Sequence, residues 1–244
     1  MIPPDLIIVL IVIFGAMLLR AILGFGDALI AMPLLSLVLG LTTTTPLVGL
    51  IQLTMTVMLL FVDRKNIEIG PLWKLVLASF VGIPLGAFLL LAVPEWVMRI
   101  ILGAFLMFVG GVALFNIQIR FPDNTPSTLT VGFVNGVIGG AYNLIGPLIV
   151  MFCATKQWNP TKFRGMLTAY FGAVGSFIVA THYWQGYWTE PVITYYLYAL
   201  PVAALAFLLG NLIHHKLNPD WFRTIVNLFL FIMGGYLIYQ GFTL

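Results

Sequence analysis

The sequence predicts an all-α, polytopic membrane protein made of two inverted repeats, each of about five hydrophobic segments that include short or re-entrant half-helices. Three observations carry this expectation. Of 244 residues, 61% are apolar and 8% charged, where a soluble domain carries roughly 25% charged residues. The apolar residues fall into ten runs separated by short polar or glycine-bearing joints. Landmarks of the first half recur in the second, while the basic residues of matched loops do not.

The runs lie at 5–23, 28–41, 45–62, 72–93, 96–116, 129–141, 143–155, 161–183, 191–213 and 220–241. One crossing of a bilayer takes about 20 apolar residues, so the whole chain is accounted for as a single transmembrane domain over 1–244, with a mean hydropathy of +1.07. That excludes a secreted protein and a cytosolic enzyme. Eleven Lys and Arg against eight Asp and Glu give a net charge of +3. This surplus is too small for a nucleic-acid footprint and is better read as orienting the helices. The single cysteine, Cys153, excludes an internal disulfide and a Cys-rich metal site.

Run one has no Lys or Arg before it and no small-residue cleavage site after it, so it reads as a retained helix and not as a secretory signal. Only Gly24, Phe25, Gly26 and Asp27 separate it from run two. Runs six and seven meet at Gly139, Gly140, Ala141, Tyr142 and Asn143. Runs two, six and seven are 13 or 14 residues long. At ~1.5 Å per residue they reach about 20 Å across a hydrocarbon core of ~30 Å, the signature of half-helices or a re-entrant pair.

The repeat is read from spacing. Pro33 and Pro147 are 114 residues apart, as are Pro46 and Pro160. Pro94-Glu95-Trp96 returns as Pro219-Asp220-Trp221, and Gly110-Gly111 as Gly234-Gly235. The expected halves are 1–122 and 123–244. Loop 63–74 holds Arg64, Lys65 and Lys74, and its counterpart at 184–190 has no basic residue. The loop of Thr42, Thr43, Thr44 and Thr45 has none, while 153–164 holds Lys156, Lys162 and Arg164. Because Lys and Arg accumulate in short cytoplasmic loops, the halves should point opposite ways, with three or five crossings each. Loops 63–74, 117–128 (with Arg120), 153–164 and 214–223 would be cytoplasmic and both termini external. Trp184, Tyr187 and Trp188 beside Gly186 suit an external aromatic belt.

Inverted repeats with Gly-interrupted segments in matching places point to a transporter's binding site, because unwound backbone and half-helix N-termini present N–H groups to an anion. Gly24 to Asp27 and Gly139 to Asn143 are such a pair. Gly132, Gly136 and Gly140, and Gly82 with Gly86, have the four-residue spacing of close helix packing. Arg20 is either a functional charge within a span or a snorkelling residue that orients run one. Asp27 either shares a face with Arg20 and neutralises it or, the stronger reading, caps run two. Asn143, beside Tyr142, is expected to cap run seven. Gln52 and Thr54 in run three, and Thr168 and Tyr170 in run eight, line a path or bond between helices. Arg164 near Lys162 reads as a positive-inside anchor. His182, His214 and His215 lack the spacing and carboxylates of a metal site; neither a metal nor a cofactor is expected.

Gly24-Phe25-Gly26-Asp27 also spells the Gly-x-Gly-Asp signature of intramembrane aspartyl proteases. Their chemistry needs two carboxylates sharing a site. The other aspartates, Asp5, Asp63, Asp123 and Asp220, fall at run ends or in loops, so the second acid is missing.

Ala21 to Asp27 leading to Pro33-Leu34, and Gly132 to Gly140 leading to Pro147-Leu148, resemble the sulfite exporter TauE/SafE family, also called toluene sulfonate uptake permeases. The resemblance spans nearly the whole chain. It implies a plasma-membrane permease, not an enzyme, for a small sulfur-containing anion such as sulfite, sulfoacetate or another organosulfonate. The substrate-binding residues expected are Arg20, Gly24, Phe25, Gly26, Asp27, Gln52, Gly139, Gly140, Tyr142 and Asn143, with a proton or sodium ion as coupling partner and alternating access between the two faces. An anion channel, with the paired half-helices as its filter, is the alternative.

Overall fold

A computed structural model describes residues 3–63, 72–122, 124–155, 160–213 and 219–243. Arg64, Lys65, Asp123, Lys156, His214 and His215 lie outside the described residues, as do the side chains of Asp63, Lys162, Arg164 and Asp220. The described residues form ten helices and no strand. They are α1 (Leu6–Leu23), α2 (Asp27–Leu39), α3 (Leu41–Asp63), α4 (Trp73–Ala92) and α5 (Glu95–Leu114), then α6 (Thr125–Tyr142), α7 (Gly146–Ala154), α8 (Pro160–Trp184), α9 (Glu190–Ile213) and α10 (Pro219–Thr243).

The ten hydrophobic runs thus become ten helices in order. The main displacement is at run six, expected as a 13-residue half-helix and found as the 18-residue α6. Its added first turn, Thr125-Pro126-Ser127-Thr128, is polar and invisible to hydropathy. Asn124 caps it by accepting a hydrogen bond from the Ser127 N–H at 2.9 Å, and Pro126 falls in the first turn, where a missing N–H costs nothing. Run seven shortens correspondingly to the nine residues of α7.

Two backbone breaks interrupt the helical path. After α1 the chain turns through Gly24 at φ 85° and Gly26 at φ 101°, both in the left-handed region that a Cβ disfavours. After α6 it turns at Asn143, φ 56°, the residue type that best tolerates this conformation after glycine.

Six described helices, α3, α4, α5, α8, α9 and α10, are long and apolar enough to cross a membrane, three in each half of the chain. The protein is a multi-pass membrane protein. Helix α1 packs on α9 and α6 on α4, while α3 packs on α8 and α5 on α10. Exchanging each helix of the first half for its counterpart in the second leaves this set of pairings unchanged. The α4–α6 contact is closest where glycines face it: a Cβ on Gly132 would lie 2.7 Å from the Leu75 carbonyl oxygen, and one on Gly86 would fall on the Val137 carbonyl. Gly103 and Gly234 bring α5 and α10 equally close. With few polar partners in lipid, such backbone proximity is what dispersion can use to hold helices together.

Candidate functional site

The two breaks come together. They border one narrow cavity with Gln52, Leu53 and Thr56 from α3 and with Phe171 and Gly175 from α8. Its remaining walls are Arg20, Phe25 to Leu29, and Asn143 to Pro147. The space amounts to about 20 Å³, room for one water by the usual criterion of roughly 10–15 Å³. Helices α2 and α7 both begin on this cavity, and the first N–H groups of a helix have no partner within it.

Arg20 and Asp27 are its charged side chains. The Arg20 Nη1 donates to Asp27 Oδ2 at 2.9 Å, and both side chains are about 3% exposed. Nη2 donates to the Thr56 hydroxyl, which in turn donates to the Gln52 carbonyl at 2.8 Å. The guanidinium carbon stands 5.9 Å from the Phe171 ring centroid, and Nε is buried without a partner among the described residues. The capping role expected of Asp27 is not found. Gly26 is the N-cap of α2 and no side chain caps that end; the Asp27 carboxylate reaches back over the break to Arg20 instead. The break allows this, because α2 returns beside α1 and brings positions 20 and 27 together without a continuous helix.

Asn143 likewise is not the cap of α7. It closes α6, its N–H donating to the Gly139 carbonyl at 2.8 Å and its side-chain amide to the Thr45 carbonyl at 2.5 Å. Its left-handed backbone ends one helix two residues before the next can begin. The amide ties this second break to the start of α3, against Gly49, where a Cβ would stand 3.0 Å from its Oδ1.

Sequence reasoning missed Thr56, Asn135 and Ser79. The repeat spacing held the signal: 115 residues beyond Arg20 stands Asn135, and 114 beyond Thr56 stands Tyr170. In the second half Asn135 Nδ2 donates to the Tyr170 hydroxyl at 2.7 Å and to the Ile145 carbonyl at 3.1 Å. The Ser79 hydroxyl donates to the Gly132 carbonyl at 2.9 Å and so accepts from Tyr170 at 2.7 Å. An uncharged network thus anchors the second break where an ion pair spans the first. Arg99 was also missed. It is buried in α5, where it pairs with Glu95 at 2.7 Å and donates to Gln240 and to the Ser36 carbonyl, tying the end of α2 to α5 and α10.

Of the ten expected site residues, Arg20, Phe25, Gly26, Asp27, Gln52 and Asn143 line the cavity. Gly24 serves the turn, and Gly139 faces Ile145 and Ile178. Gly140 packs on α4, where a Cβ would fall on the Ile83 carbonyl, and its own carbonyl meets His182 Nε2 at 2.9 Å. Tyr142 donates to the Met98 carbonyl at 2.9 Å. Thr54 bonds Tyr196 at 2.8 Å, an interhelical contact and not a lining position. No second carboxylate joins Asp27 among the described residues that line the cavity, and none of them forms a metal-binding cluster of His, Cys, Asp or Glu.

Phe25, Gly26, Leu29 and Pro147 also wall a larger cleft of about 600 Å³, which reaches Asn116, Ile117 and Gln118 after α5 and Phe163 at the start of α8. These four residues therefore stand between the narrow cavity and a wide space near the 116–121 segment. The family model described as sulfite exporter TauE/SafE matches residues 9–237. No curated protein and no solved structure matches the chain.

Proposed function

The chain belongs to the sulfite exporter TauE/SafE family, a family of membrane transporters and not of enzymes, and on that premise we propose that it carries a small sulfur-containing anion through the Arg20–Asn143 cavity. Sulfite, sulfoacetate and other organosulfonates are the class considered, and the bacterial or archaeal inner (plasma) membrane is the setting. The observation that carries this reading is the meeting of two short-helix N-termini with a buried arginine at one cavity. Each N-terminus presents N–H donors and roughly half a positive charge, and a charge buried in an apolar helix of a membrane protein is a functional feature by default.

A carrier fits better than a channel. The cavity admits about one water, and Phe25, Leu29 and Pro147 divide it from the wide cleft, so no open pore runs through it. The cleft lies on the side of Gln118 and Arg120, read as cytoplasmic from loop charge. We take the halves 1–122 and 123–244 to be inverted repeats whose rocking exposes the cavity to each face in turn; the exchange of helix pairings between halves supports this. Asp27, the one carboxylate among the described residues that line the cavity, is the candidate for coupling flux to a proton gradient.

Uptake of labelled sulfite and organosulfonates into liposomes under imposed proton or sodium gradients tests the reading. Accumulation against the anion's gradient, lost in Arg20→Gln, is the expected result. Proton dependence should vanish in Asp27→Asn; sodium dependence instead would move the coupling role elsewhere. Purely downhill flux would favour the channel.

A further inference from the structure

Resting on the anion site proposed above, we infer that this cavity is matched to a monoanion, so that within the proposed class it takes hydrogensulfite and simple sulfonates and rejects the dianions, the sulfite dianion and sulfoacetate among them, and that Asp27 is the residue that sets this charge selectivity. The argument is a sum of charges at one place. Arg20 contributes one positive charge and Asp27, ionised and paired with it at 2.9 Å, one negative. No other charged side chain lines the cavity among the described residues. What remains is the N-termini of α2, 13 residues long, and α7, nine residues long, each worth about half a positive charge. Against them stand the C-termini of α1 and α6, which end at the same two breaks and carry the opposite partial charge, so the helix ends balance at most one negative charge.

The site also holds a free donor for that ligand. Arg20 Nε is buried and without a partner among the described residues, on a side chain that lines the cavity. Once the cavity, which here has room for about one water, widens to admit it, an anion can take this N–H and the N-terminal N–H groups while Asp27 keeps Nη1. A dianion would leave one negative charge unbalanced in a setting where Coulomb terms are weakly screened. The ion pair therefore acts as a fixed offset: it supplies a hydrogen-bond donor while withholding the second positive charge a dianion needs. Asn135, at the matching place in the other half, adds no charge that could alter the sum.

Methanesulfonate and sulfate are both tetrahedral at sulfur and of similar size, but carry one and two negative charges, so their ratio isolates charge from fit. Binding of each to the full chain in detergent, by calorimetry at one fixed neutral pH, is the test. The wild type should bind methanesulfonate at least tenfold more tightly than sulfate. Asp27→Asn removes one negative charge and should shift that ratio at least tenfold toward sulfate. Gln52→Lys adds a positive charge at another wall and should shift it the same way; it serves if Asp27→Asn does not fold. Equal binding of the two anions by the wild type, or an unchanged ratio in the folded variants, overturns the charge inference while leaving the cavity as an anion site. Failure of the wild type to bind either anion overturns both.

Discussion

Neutralising the Arg20–Asp27 pair one partner at a time should damage the fold more than neutralising both. Each side chain is about 3% exposed, and their contact is a single 2.9 Å hydrogen bond between opposite charges. Removing one member of a buried ion pair costs roughly 3–5 kcal/mol, because the other is left charged and uncompensated. Asp27→Asn keeps the shape and a carbonyl acceptor for Nη1, so its loss isolates charge. Arg20→Gln strands the carboxylate and also empties the contact with Thr56. The double variant carries no charge in the cavity and should lose no more than either single, giving a coupling energy of about 3 kcal/mol or more in a double-mutant cycle. Denaturant unfolding of the purified protein in one detergent measures it. The double variant should be folded yet unable to accumulate anion in liposomes. Singles that each cost under ~1 kcal/mol and add without coupling would show that water or lipid screens the pair, and the reasoning from burial would fail.

Three further outcomes are expected. Gly140→Val should destabilise the α4–α6 contact by the upper part of the ~1–3 kcal/mol range for overpacking or beyond, because the new Cβ meets the Ile83 carbonyl; normal thermal stability and normal transport together would contradict that close approach. Phe25→Ala should open the cavity to the wide cleft. A cysteine at Gln52 in a Cys153→Ala background would then react several-fold faster with a small thiol reagent than with Phe25 in place, and equal rates would remove Phe25 from the dividing wall. Single cysteines at the exposed positions Thr42 and Thr155 should label from opposite sides of the membrane with an impermeant reagent; labelling from one side would exclude inverted halves.

Membership of the membrane class, the number of helices among the described residues and eight of their ten approximate extents follow from the sequence alone, because lipid leaves the backbone no partner but itself and so ties each apolar run to a helix. The first break was legible for the same local reason, since Gly24 and Gly26 adopt backbone angles that few other residues tolerate; the second was not placed correctly, because Gly139 and Gly140 stay helical within α6 and the chain breaks at Asn143 to Ile145. The extra turn of α6 was not, since Thr125 to Thr128 are polar and are held by the Asn124 cap, not by burial.

Partner choice was decided only in three dimensions. Locally, Asp27 and Asn143 both stand where a helix cap would be natural, and the chain spends neither on the helix that follows it. Asp27 turns to Arg20 because an unpaired charge at that depth is costlier than an uncapped helix end. Asn143 turns to the Thr45 carbonyl, 98 residues away in sequence. The same holds for the glycines, identical in sequence but not in place: Gly26 borders the cavity, and Gly140 is filled by the backbone of α4. Local rules fix which groups need a partner; which partner each one finds depends on the helices that packing brings to the same depth.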